Sequence, residues 1–238
     1  MLFNFEERFS DSPFVERIWH SHTERTGPFL SIATGHWEMV VSNYHGNTTV
    51  TLRGPETKVT PFEVTFTGGE YVGIIFKHGT VLPYLPAEAI VDGDVDLPNA
   101  SSKSFWLNGL TWQFPTYENA DTFVNRLVWE ELLVFDPVVR SVLQDEPQDL
   151  STRSIQRHFL QATGLTQGTL RQIQRARRAT LFLQQGGSIL DTVDLTGYAD
   201  QAHMTRALKH YIGKTPTQIL NKSEPAQTSL LFETELLR

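Results

Sequence analysis

Arg153, Gln156 and Arg157 sit three and four positions apart, and Gln201, Thr205 and Arg206 follow a similar spacing further along, with His203 among them. On a helix such spacing gathers side chains on neighbouring rows of one side. The chemistry these groups share is directed hydrogen bonding. Arg can present its planar fork to guanine O6 and N7, and Gln can pair with adenine N6 and N7. Half or more of the contacts in such an interface go to phosphate and sugar instead, so Arg157, Arg206 and the helix N-termini are also candidates for backbone contact.

Bond-making chemistry finds less support. The chain has no cysteine, which removes thiolate nucleophiles, thiolate metal sites and disulfides. No nucleophile elbow, P-loop or dinucleotide-binding glycine motif stands at a strand–helix junction. The carboxylate pairs Glu6-Glu7 and Glu130-Glu131 fall at a terminus and on a helix surface. His20-x-His22 with Glu24 nearby has two-histidine spacing, but the carboxylate is misplaced for a metal cupin. No metal or cofactor is assigned, and a metal-dependent cupin enzyme with an accessory helical domain is the alternative reading. A module using its helices for protein contacts is a third.

The formal net charge is −7, which taken whole opposes nucleic-acid binding. Its distribution reverses this. Residues 1–135 hold 8 Lys and Arg against 17 Asp and Glu, a balance of −9. Residues 151–222 hold 10 against 3, a balance of +7. A compact basic segment is the footprint of phosphate contact. With 238 residues, 39% hydrophobic, one or two domains with proper cores are expected. No run resembles a membrane span or a signal peptide, so a cytoplasmic protein without membrane partners is expected.

The elements follow an α+β order. Residues 1–12 look like a loose terminus. From Pro13 to about Leu110 short strands alternate with turns: Phe29–Ala33, Trp37–Tyr44, a His45-Gly46-Asn47 turn, Thr48–Leu52, Phe62–Phe66 and Tyr71–Phe76. This pattern predicts a small barrel or sandwich over residues 1–115. Its aromatics Trp19, Trp37, Phe62, Tyr71, Phe76 and Trp106 are expected mostly in the core. Trp37, His36 and His78 are the candidates for contact with a small-molecule effector. A linking helix is predicted over 116–136, with Phe123, Leu127 and Val134 on an apolar face that could serve a homodimer. Helices then fill 137–222. Ser151, Ser188 and Asp200 stand at cap positions, and Gly164, Gly186-Gly187, Gly197 and Gly213 at stops. Residues 223–238 form a tail in which Leu230, Leu231, Leu236 and Leu237 could dock.

The helical segment resembles the DNA-binding domain of the AraC/XylS family of transcription regulators. The resemblance is carried by Gly197, Tyr198, Asp200-Gln201, Thr205-Arg206, Lys209, Gly213 and Thr215-Pro216. Ser151, Arg153, Gln156-Arg157, Phe159 and Gly164 carry it in the first half, and Arg175 to Ala179 between them. It departs at Thr192 and Val193, where the family usually keeps an aliphatic residue and a small Ala. The resemblance implies two helix-turn-helix units joined by a long helix. Each unit would place a recognition helix in successive major-groove segments of double-stranded DNA. The implied DNA-contacting set is Ser151, Arg153, Gln156, Arg157, Arg175, Arg177, Gln201, His203, Thr205, Arg206 and Lys209, with Arg177 expected on phosphate. It further implies a cupin-like sensor for a small-molecule effector at the N-terminus, contact with RNA polymerase, activation or repression of transcription, and no enzymatic activity.

Overall fold

The computed structural model describes residues 2–221 and the backbone of Gln227 and Thr228, so the tail leucines considered above lie outside the described residues. In chain order the strands are β1 (Phe3–Phe9), β2 (Val15–Thr23), β3 (Gly27–Ser31), β4 (Glu38–Tyr44), β5 (Asn47–Arg53), β6 (Thr60–Val64), β7 (Glu70–Phe76), β8 (Thr80–Val81), β9 (Asp94–Leu97), β10 (Asn99–Ser101), β11 (Ser104–Leu107) and β12 (Leu110–Gln113). Then come α1 (Ala120–Trp129), β13 (Val134–Phe135), α2 (Pro137–Leu143), α3 (Thr152–Thr163), α4 (Gln167–Gln184), α5 (Ile189–Thr196), α6 (Gln201–Tyr211), α7 (Pro216–Leu220) and β14 (Gln227–Thr228).

Six strands form one sheet in the order β1-β2-β7-β4-β5-β9. Period-two alternation gives it two different faces. Ile18, Met39, Val41, Val50, Leu52, Ile74 and Phe76 point to one side, where they meet Phe105 and Leu107 of β11, Trp112 of β12, and Phe123, Val124 and Leu127 of α1. The other face looks toward the antiparallel pair β3-β6, to which β14 adds in parallel. The β4-β5 connection is His45-Gly46, both at positive φ (51° and 79°), which suits the twist of a two-residue hairpin loop.

One expectation is narrowed and two are corrected. The strands make separate sheets with β1 and β9 as edges of the largest, so the domain is a layered sandwich and not a closed barrel. The amino terminus is a strand: Phe3 and Phe5 alternate onto the inner face while β1 pairs along its whole length with Arg17–Thr23 of β2. The linking helix stops at Trp129, because Glu131 takes a positive φ of 56° and turns the chain. Leu132 and Leu133 then enter the β-domain core, and Val134–Phe135 pairs with β8. Of the face considered for a homodimer, Phe123 and Leu127 are buried against the β-domain core, while Val134 is 40% exposed.

The helices form two pairs, α2-α3 and α5-α6, with α4 between them. Val139, Val142, Phe159, Ala162 and Leu170 make the core of the first pair. Ala176, Ala179, Leu183, Val193, Met204, Leu208 and Ile212 make that of the second, and Ile32 from the β domain packs into it.

Candidate nucleic-acid interface

Each of the two exposed polar faces starts from a capped N-terminus. Ser151 Oγ accepts from Ser154 N at 3.2 Å, and α3 ends at Gly164, whose φ of 68° suits glycine. Phe159 and Ala162 bury one side of α3. Ser151, Arg153, Gln156 and Arg157 remain exposed on the other. Asp200 Oδ1 accepts from His203 N at 2.6 Å and caps α6 after the Gly197 turn. Met204 and Leu208 are fully buried, while Gln201, Arg206 and Lys209 are exposed and His203 and Thr205 half-buried. Thr205 Oγ1 donates to Gln201 O at 2.8 Å, which fixes the hydroxyl against its own helix. The departures in α5 are accommodated. Thr192 is completely buried, but its hydroxyl donates to Ser188 O at 2.7 Å, so it packs as an aliphatic residue would.

Two of the arginines expected at DNA make contacts within the protein. Arg177 is only 4% exposed and donates through Nη1 to the carbonyl of Ala33 at 3.3 Å. Its burial excludes a phosphate contact in this conformation. Arg175 lies with its guanidinium 4.5 Å from the centre of the Tyr198 ring and donates to Gly197 O at 3.1 Å. It braces the turn between α5 and α6.

A cavity of about 370 Å³ lies between the six-stranded sheet and β3-β6. Of the three effector candidates, His36 lines it, whereas Trp37 and His78 do not. Trp37 is stacked on Phe76 in the core and donates to Thr80 O at 2.8 Å. His78 is half-buried with its Nδ1 enclosed, and its ring stacks on His36, ring centres 3.8 Å apart. Burial holds its pKa well below the ordinary 6.5, and the His36 and Arg177 charges push it the same way. Trp19, Phe62 and Tyr71, expected in the core, line the cavity instead, together with Phe3, Phe5, Phe29 and Phe66. The signal that could have found them is the alternation itself: Phe3, Phe5, Trp19, Val40, Tyr71 and Ile75 occupy one parity of their strands. Gly73 is required here, since a Cβ would meet the Trp19 ring at 2.0 Å.

The cavity is amphipathic. At one end Arg53 reaches Glu38 at 3.2 Å and Glu56 at 3.9 Å, and Trp19 Nε1 donates to Glu38 at 3.1 Å. Ser31 Oγ donates to Glu56 at 2.5 Å. Burial pushes the Glu56 carboxyl pKa up, partly offset by Ser31 and Arg53. The other end is aromatic, with Phe29 4.7 Å from Phe62 and 5.3 Å from Phe3.

His20 and His22 both hydrogen-bond Glu70, at 2.8 and 2.6 Å, in place of the nearby Glu24. Among the described residues no group of three or more His, Cys, Asp or Glu is arranged to hold a metal ion. Among the same residues, no helix is long and apolar enough to cross a membrane.

Two capped helices with polar outer faces on one small scaffold define a helix-turn-helix class of domain. A family model described as a helix-turn-helix domain matches residues 149–222. The chain is 34% identical over 89 residues to the HTH-type transcriptional regulator RipA of Corynebacterium glutamicum, a match covering 37% of this chain and 27% of that protein. Residues 149–222 are therefore similar to a helix-turn-helix domain, and the match to the curated regulator spans about a quarter of that protein's length. No solved structure shows significant similarity to the chain.

Proposed function

We propose that the chain is a sequence-specific DNA-binding transcription regulator under the control of a small molecule held by its β domain. The observation that carries the reading is the pair of capped helices, α3 and α6, with exposed Arg153, Gln156 and Arg157 on one and Gln201, Arg206 and Lys209 on the other. Their buried sides are committed to packing, which leaves these faces for a partner. Arg157 and Arg206 would contact base edges or the adjacent phosphates, and His203 and Thr205 the second groove segment. The two helices would enter major-groove segments about one helical turn (~34 Å) apart. The effector would sit in the aromatic cavity, with His36 on its wall.

Selection of bound duplexes from a random pool, followed by titration of the winner, tests this. A reproducible motif with two half-sites about one turn (~10 base pairs) apart is expected. Recovery of unrelated sequences would reject it.

A further inference from the structure

The cavity carries more carboxylate than cation among its lining Asp, Glu, Lys and Arg residues: Glu38, Glu56 and Glu63 stand against Arg53 and Arg177. Glu38 is satisfied at both oxygens, by Arg53 Nη1 at 3.2 Å and Trp19 Nε1 at 3.1 Å. Glu56 is not. Ser31 Oγ donates to its Oε2 at 2.5 Å. Among the described residues no hydrogen bond reaches its Oε1, where Arg53 Nη2 stands 3.9 Å away, beyond hydrogen-bond reach. The Glu56 side chain is only 17% exposed, and burial pushes its carboxyl pKa up. A carboxylate taken out of water is costly unless it is paired. Its place on the wall is nevertheless fixed. Thr34 and Glu56 exchange two main-chain hydrogen bonds, each 3.0 Å, so the loop before β6 holds the carboxyl at the cavity.

We infer that the cavity takes a small organic cation, an ammonium group on a compact aromatic body, with Glu56 as its counter-ion. This rests on the reading of the cavity as a small-molecule site and names the class of molecule it admits. The body would occupy the end lined by Phe3, Phe29, Phe62 and Tyr71, whose rings meet edge-on or tilted. Aromatic walls also attract a cation, which aliphatic walls do not. The volume, about 370 Å³, is at the small end of ligand sites and suits a compact body. A primary ammonium brings N–H donors to the unpaired oxygen of Glu56. It supplies the missing positive charge and leaves the Ser31 and Arg53 contacts in place. An anionic head would add a further negative charge beside Glu38 and Glu56 and would have to draw Arg53 away from them.

The test uses the full chain and three probes of similar size: 2-phenylethylammonium, 2-phenylethanol and 3-phenylpropionate, a cation, a neutral molecule and an anion. Calorimetric titration at neutral pH gives a Kd for each. In the wild-type chain the ammonium is expected to bind at least about tenfold tighter than the alcohol, the effect of one hydrogen bond to a charged group. The carboxylate should bind more weakly than the alcohol. In Glu56→Gln the ammonium falls to the level of the alcohol, while the alcohol keeps its wild-type Kd and so reports an intact cavity. Ser42→Trp, which places an indole among the lining residues, removes binding of both. The wild-type ranking decides the matter without any variant. Equal affinity for ammonium and alcohol, or tighter binding of 3-phenylpropionate, overturns the inference and leaves a small-molecule site of another class. An ammonium preference that survives Glu56→Gln, or ammonium binding that survives Ser42→Trp, also overturns it. Absence of binding by all three probes overturns it as well. Failure of the duplex selection rejects the regulatory reading alone, a result separable from each of these.

Discussion

Arg157 and Arg177 belong to the same basic segment, yet one is exposed and the other is enclosed by a loop from the β domain. Replacing Arg157 by Ala is expected to cost about 1–3 kcal/mol against the preferred duplex if it grips a base, and much less against a duplex changed at that base. Competition between the two duplexes measures this, and an equal loss on both would assign Arg157 to phosphate. His78 carries a pH prediction. Its folded pKa lies below the unfolded value of 6.5, so the neutral ring favours folding. That stability is complete above 6.5 and lost as the pH falls from there through the folded value. Denaturation midpoints from pH 8 downward should show a decline that is shallower in His78→Gln. A parallel decline in both proteins would mean that His78 is not its source. Helical spacing made the outer faces of α3 and α6 legible, because each alternates with its own buried residues. The burial of Arg177 was not legible. It adjoins Ala176 on α4, and only the approach of Ile32–His36 from a distant part of the chain covers it.

The elements depend on a few local devices. Asp200 supplies the side-chain acceptor at the start of α6, and Asp200→Ala should cost about 1 kcal/mol. Thermal unfolding reads the loss, and duplex affinity should fall with it because the first turn presents Gln201. An unchanged melting temperature would show that the cap is replaceable. Gly73→Ala places a methyl group where the Trp19 ring lies, within 2.0 Å, and overpacking of about 1–3 kcal/mol is expected. The same change should drive Trp19 into the cavity and weaken binding of the 2-phenylethylammonium probe. Wild-type probe affinity would contradict the placement of Trp19. Caps, turn glycines and the β4-β5 hairpin were legible because each rests on neighbouring residues. β1 was not. Its alternation ends after Phe5 in Glu6-Glu7-Arg8, and its strand character comes from pairing with β2. The end of α1 was hidden for a related reason: Leu132 and Leu133 continue the apolar rhythm, while the chain has already turned at Glu131.

For the whole molecule, the separation of charge found in the sequence acquires a spatial meaning. The acidic region forms the sandwich, and the basic region forms the helix pairs packed against it through Ile32, Ala33 and Val59. The general division into a β part and a helical part was legible from periodicity. The cavity was not, because its walls come from seven strands and one distant helix, and no short stretch contains more than a few of its residues. Self-repulsion between the sandwich and DNA would restrain weak, sequence-independent binding, so specificity should survive at salt concentrations that remove non-specific association. The central claim is that the exposed faces of α3 and α6 meet duplex DNA, and the most direct measurement is Kd for the selected duplex across a salt series. The logarithm of affinity should fall linearly with the logarithm of salt, by roughly 0.9 for each phosphate neutralised, with a clear preference over scrambled duplex at every point. A flat salt response, or equal affinity for the scrambled duplex, would contradict it.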